Sequence, residues 1–229
     1  MKIVISGYGK MGREIEAAAK ARGHECVSKP DSSEELAKSV FPDAVCIDFT
    51  VPDAFRKNYK TIAENFKAAV VGTTGWYDIL DEVKDYFAKK NKTLIYATNF
   101  SIGVNVFFKV NEIAARLISE LADYDSYIIE YHHNQKLDAP SGTAKTIGNI
   151  LKEVLGKEID IQSVRSGKIP GIHETGFESE VDRITLRHEA FSRKGFAEGA
   201  VTAAEWAVNL NGIFEFKDLL EEKIKNILK

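Results

Sequence analysis

The sequence lacks the features of a secreted or membrane-spanning protein. Its 229 residues include only two cysteines, and each lies in a short apolar run, which favours buried, reduced thiols over a disulfide. No apolar run approaches the roughly 20 residues that cross a bilayer. The opening MKIVISG leads straight into a glycine-rich turn, without the hydrophobic region of a signal peptide. We therefore expect a cytoplasmic protein without a membrane partner.

The composition also lacks an excess of basic residues. The formal net charge is −3, so we expect no nucleic-acid partner bound through a basic surface. A local basic pocket for an acidic metabolite remains compatible with this balance. A chain of this length can bury a core in one large domain or in two small ones.

The first hundred residues alternate between strand and helix patterns. Strand-like runs occupy residues 2–6, 25–28, 44–49, 68–71 and 93–97, and helical patterns lie at 10–22, 33–39, 52–65 and 77–90. This alternation predicts an α/β fold with a doubly wound parallel sheet. Several of the runs are apolar throughout, which is typical of strands covered on both faces.

The pattern changes after residue 102. We expect helices at 103–121 and 143–155, with strands near 126–131, 159–164, 171–177 and 183–188. Sheet and helix without strict alternation predict a second, α+β domain over residues 103–194. Two last helices, near 197–210 and 217–228, are expected to return to the first domain, which then comprises 1–102 and about 195–229.

A G-x-G-x-x-G hexapeptide follows the first strand and opens the first helix. Its glycines allow a tight turn and a close approach of backbone N–H groups to a pyrophosphate, beside the positive end of the helix. This context predicts a Rossmann-type dinucleotide site, and the alternative is a tight turn without a ligand. The hexapeptide consists of Gly7, Tyr8, Gly9, Lys10, Met11 and Gly12.

An acidic residue at the end of the second strand is expected to bind the ribose hydroxyls of the dinucleotide. Asp31 is the best candidate, although a solvated loop residue would give the same pattern. Lys29 lies beside it and would tolerate a 2′-phosphate. The pattern therefore leaves both NADH and NADPH open as cofactors.

Two further polar loops follow the fourth and fifth strands. Ligands of open α/β sheets bind beyond the carboxyl ends of the strands, so these loops are candidates for contact with the nicotinamide half. Plain turns would explain each loop as well. The residues are Gly72, Thr73, Thr74 and Gly75 in the first loop and Ala97, Thr98, Asn99, Phe100 and Ser101 in the second.

Residues 130–143 hold the densest group of reactive side chains. Two histidines, a lysine and a Ser-Gly-Thr turn lie between a predicted strand and a predicted helix. The serine is a plausible N-cap, which leaves the N–H groups near Gly142 and Thr143 available to an anion such as a carboxylate. Lys136 and His133 would add positive charge beside it. This pattern predicts a pocket for an acidic small molecule.

A metal site is a weaker interpretation of the paired histidines. Adjacent residues on a strand point to opposite faces, so His132 and His133 are poorly placed to share one ion. Neither an HExxH nor a CxxC motif accompanies them. We expect no metal. A role as satisfied polar residues at a strand end is the remaining structural interpretation.

The stretch EYHHNQKLDAPSGTA resembles the signature E-x-H-H-x-x-K-x-D-A-P-S-G-T-A of the 4-hydroxy-tetrahydrodipicolinate reductases, long called dihydrodipicolinate reductases. GYGKMG, GTTG, NFSIGVN and the late stretches HEAFSR and FAEGA extend the resemblance over nearly the whole chain. The short region between the second and third strands matches the compact members. The tripeptide Lys29-Pro30-Asp31 departs from the pattern where the family selects its cofactor.

The resemblance implies NAD(P)H-dependent reduction of 4-hydroxy-tetrahydrodipicolinate to tetrahydrodipicolinate, on the diaminopimelate route to lysine. It implies that His132 is a proton donor and acceptor, that Lys136 is a proton donor, and that His133, Gly142 and Thr143 hold a small dicarboxylate substrate. It also implies that the second domain carries the substrate site and associates into a homotetramer. A lysine or histidine acid beside a dianionic substrate suits this chemistry.

Two other functions remain as alternatives. Another nicotinamide enzyme of amino-acid metabolism, such as an aspartate or homoserine dehydrogenase, would need a different substrate-domain signature, which the sequence does not contain. A dinucleotide-sensing module without catalysis would not need both His132 and Lys136. Dinucleotide binding without turnover would favour that module.

Overall fold

Six parallel strands form the sheet of the first structural unit, which comprises Met1–Ile102 and the chain from Arg193 onwards. The structure is a computed structural model, and it describes residues 1–121 and 123–227. The strands are β1 (Lys2–Ser6), β2 (Glu25–Ser28), β3 (Phe41–Asp48), β4 (Phe66–Val71), β5 (Thr93–Tyr96) and β10 (Ile213–Glu215). Neighbouring strands are parallel throughout, in the order β10-β5-β4-β3-β1-β2.

Helices cover both faces of this sheet, because alternate strand residues supply two separate cores. Ile3 and Ile5 face one core, whereas Val4 between them faces the other. The first core includes residues of α1 (Lys10–Ala21), α7 (Lys194–Ala207) and α8 (Phe216–Ile227). The second includes residues of α2 (Ser33–Lys38), α3 (Pro52–Asn65) and α4 (Leu80–Lys89), and a 3-10 turn at Tyr77–Ile79 precedes α4. The doubly wound parallel sheet is confirmed.

A mixed sheet of four strands forms the second unit, Gly103–Ser192. The strands are β6 (Asp125–His132), β7 (Asp160–Arg165), β8 (Ile172–Glu178) and β9 (Arg183–Glu189), and the helices are α5 (Ile102–Leu121) and α6 (Gly142–Leu155). In the order β7-β6-β8-β9, the first pair of strands is parallel and the other two pairs are antiparallel. The predicted α+β character of this part is confirmed.

The two faces of the second sheet differ in burial. Along β6, Ser126, Ile128, Glu130 and His132 are buried, because successive side chains alternate between faces and this face carries the core. The residues between them are only half-buried. The strand therefore turns Glu130 and His132 toward the same covered side.

Two features of the fold do not follow from local sequence patterns. The strand β10 was not predicted, since three residues following Gly212 carry no periodic pattern. The apolar stripe of α5 is also more exposed than such a stripe usually is. Its members Val106, Val110, Ile113 and Leu117 are 38–57% exposed.

Within the described residues, no helix combines the length and hydropathy needed to span a membrane.

Candidate active site

The glycine-rich loop after β1 is a tightly packed turn with one open side. Gly7 has φ +87°, and a Cβ there would lie 2.7 Å from the carbonyl oxygen of Phe49. A Cβ on Gly12 would lie 2.3 Å from the Gly7 carbonyl oxygen. In contrast, a Cβ on Gly9 would meet no atom of the described residues within 4 Å. The backbone at Gly9 is thus open to a ligand.

The start of α1 suits a phosphate. Gly9 is its N-cap and offers no side chain to the first N–H groups, and the first turn carries no acidic residue. Uncapped N–H groups at a helix start, together with the positive end of the helix dipole, favour an anion. This open, uncapped loop fits the pyrophosphate of a dinucleotide.

Asp31 lies beside this loop. Its Oδ1 accepts a hydrogen bond from the Tyr8 N–H at 3.0 Å. The neighbouring Lys29 is engaged elsewhere, because its Nζ lies 2.6 Å from Oε1 of Glu16. Hydrogen bonds from Lys20, Lys29 and Tyr8 lower the pKa of Glu16 to about 2, so Lys29 faces a charged carboxylate.

A buried carboxylate that the sequence analysis missed connects three strand ends of the same sheet. Asp48, at the end of β3, is fully buried. It accepts hydrogen bonds from Oγ of Ser6 at 2.7 Å, Oγ1 of Thr50 at 2.9 Å and Oγ1 of Thr73 at 2.6 Å. Burial raises the pKa of Asp48, although these hydrogen bonds oppose the shift. A lone acid that ends an apolar run was the only signal in the sequence.

The other predicted cofactor residues differ in burial. Thr74 and Thr98 are exposed, as is Lys10 on α1. Phe100 is 1% exposed, and its ring centre lies 4.9 Å from that of Phe216. Its ring therefore belongs to the core of the first unit. Of the rest, Thr73, Ala97 and Ser101 are buried, Gly72, Asn99 and Met11 are half-buried, and Gly75 is exposed.

In the second unit, a buried carboxylate holds the predicted proton-transferring histidine. Glu130 is fully buried, and its Oε2 is hydrogen-bonded to Nδ1 of His132. Its Oε1 lies 2.7 Å from Nη2 of Arg165 and accepts a hydrogen bond from the Ser141 N–H at 3.3 Å. The carboxylate therefore joins two strands to the residue that precedes α6.

The charges of this cluster fix where the histidine exchanges its proton. Burial would raise the pKa of Glu130, yet hydrogen bonds from Arg165 and His132 lower it to about 2. An ionised carboxylate can only accept, so Nδ1 of His132 carries a hydrogen and Nε2 is the exchanging position. Burial lowers the pKa of His132, although Glu130 opposes this shift.

Room beside Nε2 depends on a residue without a side chain. Gly171, which precedes β8, is buried next to the His132 ring. A Cβ at this position would lie 3.0 Å from Nε2 and 3.4 Å from Cδ2 of His132. The glycine thus leaves this side of the imidazole uncrowded.

His173, which the sequence analysis missed, lies next to His132. His173 stands opposite Glu130 in the register of β6 and β8, and its ring centre is 5.3 Å from that of His132. Its Nε2 lies 3.1 Å from Oγ of Ser141. Burial, with a contribution from His132, lowers the pKa of His173 to about 4, so this ring is neutral near pH 7.

The start of α6 is an open anion site. Ser141 is the N-cap, as expected, and its Oγ accepts a hydrogen bond from the Ala144 N–H at 3.3 Å. Among the described residues, no acceptor pairs with the N–H groups of Gly142 and Thr143. A Cβ on Gly142 would meet no described atom within 4 Å. These N–H groups are therefore free to bind a carboxylate.

The remaining predicted site residues lie in the loop between β6 and α6. Nζ of Lys136 donates to Oδ1 of Asp138 at 2.8 Å. Nη2 of Arg165 donates to the Asp138 carbonyl oxygen at 2.6 Å. His133 is half-buried, and its Nδ1 has no partner in the described part of the chain. Arg165 thereby connects the loop that carries Lys136 to Glu130.

A metal ion is not needed to explain this cluster. Ligand atoms of Glu130, His132 and His173 lie within 4.8 Å of one another, a spacing at which three residues can hold an ion. However, both Glu130 oxygens already accept hydrogen bonds, and Arg165 supplies the counter-charge. The expectation of no metal stays a prediction.

Comparisons with known proteins agree over nearly the whole chain. Residues 1–100 match the family described as dihydrodipicolinate reductase, N-terminus, and residues 103–220 match its C-terminus. A 4-hydroxy-tetrahydrodipicolinate reductase of Christiangramia forsetii is 42% identical, over 99% of this chain and 100% of the relative. One of Thermosipho africanus is 35% identical, over 97% and 99%.

A solved structure shows the same architecture. It is a dipicolinate-bound dihydrodipicolinate reductase from a Paenisporosarcina species, with a TM-score of 0.80 and 25% identity over 94% of this chain and 97% of the other. The family models and the curated relatives agree with this likeness. The chain therefore belongs to the dihydrodipicolinate reductase family of oxidoreductases.

Proposed function

We propose that this chain catalyses the NAD(P)H-dependent reduction of 4-hydroxy-tetrahydrodipicolinate to tetrahydrodipicolinate, a step on the diaminopimelate route to lysine. One observation carries the proposal: Glu130 holds both a proton-exchanging imidazole and the residue before an open helix start. A dianionic substrate that must be protonated during reduction requires both of these groups.

The start of α6 would bind a carboxylate of the substrate. The N–H groups of Gly142 and Thr143 would bind one carboxylate of the substrate, since hydrogen bonds to a charged acceptor are stronger than neutral ones. His133 would contribute a further polar contact from the loop. The positive charge of Lys136 would favour the dianion over a neutral compound.

Lys136 and His132 would transfer protons during the reduction. The nicotinamide, when bound, supplies the hydride. The 4-hydroxyl group of the substrate leaves as water, and one hydride and one proton add to the ring. Lys136 would donate that proton, and His132 would exchange a proton at Nε2, beside Gly171. Positioned acids of this kind contribute about 10²–10⁴-fold to a rate.

A coupled assay tests the proposal. A synthase generates the substrate in place from pyruvate and aspartate semialdehyde, and absorbance follows oxidation of NADH or NADPH in separate reactions. We expect oxidation that depends on the synthase and on both of its substrates. If neither NADH nor NADPH is oxidised, the proposed function is refuted. Dinucleotide binding without turnover would favour a sensing module.

We further propose that NADH is the preferred cofactor. Asp31 is fixed beside the glycine loop, where its carboxylate would accept from ribose hydroxyls and repel a 2′-phosphate. Lys29, which would attract that phosphate, is paired with Glu16. We expect kcat/KM for NADH to exceed that for NADPH by about tenfold or more, equivalent to about 1.4 kcal/mol.

The substitution Asp31→Ser tests this preference, because it removes the repulsion. We expect the ratio of kcat/KM for NADH to kcat/KM for NADPH to fall severalfold. Asp43→Ser is the matched control, since Asp43 is an exposed acid near the start of β3 and pairs with Lys2. An unchanged ratio in Asp31→Ser would remove Asp31 from cofactor selection.

We also propose that the protein is a homotetramer in which the less covered face of the second sheet contacts other copies. Tyr127, Ile129 and Tyr131 are half-buried there, and Val164 is 37% exposed. Uncovered sheet faces are normally polar, so apolar side chains on this face favour contact between subunits. Light scattering should give four times the chain mass of 25.5 kDa. A monomer at micromolar concentration would contradict the proposal.

A further inference from the structure

We infer that Glu130 is a positioning residue that holds the proton-exchanging histidine and the carboxylate-binding helix start in one fixed arrangement. The inference deepens the proposed function and rests on it. It assigns a role to a residue that the resemblance placed only at the edge of the signature segment. Glu130 would act through His132 and Ser141 without contacting the substrate itself.

The two oxygens of Glu130 serve different parts of the unit. Oε2 contacts Nδ1 of His132 on the same strand, and Oε1 accepts from the Ser141 N–H at 3.3 Å, directly before α6. The side chain is fully buried, so water does not compete for these hydrogen bonds. Any shift of the carboxylate would therefore move the imidazole and the helix start together.

Arg165 makes this arrangement possible. A buried carboxylate without a counter-charge is strongly destabilising, and Nη2 of Arg165 lies 2.7 Å from Oε1 of Glu130. The same Nη2 also donates to the Asp138 carbonyl oxygen at 2.6 Å, and the Asp138 carboxylate accepts from Lys136. The loop that carries the proposed proton donor is thus connected to the same ion pair.

Glu130 supplies the negative charge that acts on the imidazole. The charged groups that act on His132 are Glu130 on β6, Arg165 on β7 and Lys136 in the loop, and the last two are positive. His173 on β8 and His188 on β9 are the other titratable groups of this side, and burial lowers the pKa of both, so they add little charge near pH 7. Without Glu130, only positive neighbours of His132 would remain.

The substitution Glu130→Gln keeps the shape and removes the charge. His132 donates from Nε2 only when protonated, so activity that needs this proton is present below its pKa and lost above it. Removing the negative neighbour lowers this pKa further, so we expect the fall of kcat/KM with rising pH to begin about one unit lower or more. We also expect kcat to fall by about 10-fold or more.

The substitution Glu130→Gln should affect substrate binding and turnover but not dinucleotide binding. We expect KM for the dicarboxylate to rise severalfold, since the helix start loses a charged acceptor, and the Kd for NADH to stay within about twofold. Glu174→Gln is the matched control. Glu174 lies on β8 of the same sheet, pairs with Arg187 and is partly exposed, so its substitution should leave the pH profile unchanged.

A measurement without turnover separates this inference from the proposed function. Nitrogen-15 NMR of the histidine rings should show His132 with its hydrogen on Nδ1 in the unmodified protein, and a mixture of tautomers in Glu130→Gln. If the unmodified protein fails to turn over, the proposed function fails, while the ring tautomer still tests the positioning role.

Two results would overturn the inference. One is a hydrogen on Nε2 and none on Nδ1 in neutral His132 of the unmodified protein, which requires no variant to fold. The other is a folded Glu130→Gln variant whose pH profile and ring tautomer match those of the unmodified protein.

Discussion

Replacing Lys136 with alanine is expected to lower kcat by at least about tenfold and, if the lysine is the main acid, by about 10²–10⁴-fold. The ammonium group is held by Asp138 at 2.8 Å in the loop before α6. The dinucleotide loops belong to the other structural unit, so the Kd for NADH should be nearly unchanged. The coupled assay gives kcat, and a fluorescence titration gives the Kd.

Lys152→Ala is the matched control for this experiment. Lys152 lies on α6 and is paired with Glu158, so its removal costs a comparable ion pair on the surface of the same unit. Its turnover should match that of the unmodified protein. Equal turnover in Lys136→Ala would remove Lys136 from the proton-transfer step and leave His132 as the remaining candidate acid.

The substitution Gly142→Pro is expected to raise KM for the dicarboxylate by about 10–100-fold, because it deletes one N–H of the anion site. Gly142 is the first residue of α6, where a proline fits the helix and where the lost N–H has no intrahelical partner. Ser141 has φ −62° and ψ 156°, a conformation that suits a residue before proline. The helix should therefore remain intact.

Gly142→Ala separates the N–H from the added carbon atoms. Alanine brings a Cβ into the same open space but keeps the N–H, so its KM should stay well below that of the proline variant. Similar KM values in the two variants would mean that crowding explains the loss. Unchanged KM in both would show that the carboxylate binds elsewhere.

Much of the fold could be predicted because local patterns determine it. The apolar run within residues 44–49 predicts a buried strand, and the helical spacing of Ile147, Leu151 and Leu155 predicts a helix. The structure contains both elements. The strand β10 could not be predicted, since its pairing with β5 is a tertiary contact made by three residues. The exposed stripe of α5 has the same cause: periodicity identifies a helix but not what covers it.

Some residues of the candidate site could likewise be predicted from the sequence, and others could not. His132, Lys136 and the start of α6 are close in sequence, so one motif predicts them together. Arg165 and His173 reach Glu130 only through the register of neighbouring strands, which the sequence does not reveal. The supporting contacts of a site are therefore harder to predict than its reactive groups when they come from distant strands.

We expect this chain to transfer hydride from a reduced nicotinamide to the dicarboxylate substrate. The most direct test supplies NADH and NADPH in separate reactions, each with two deuterium atoms at the nicotinamide C4, together with substrate generated in place, and analyses the product by mass spectrometry. We expect tetrahydrodipicolinate that carries one deuterium. Product without deuterium, or no product with both dinucleotides, would contradict this hydride transfer.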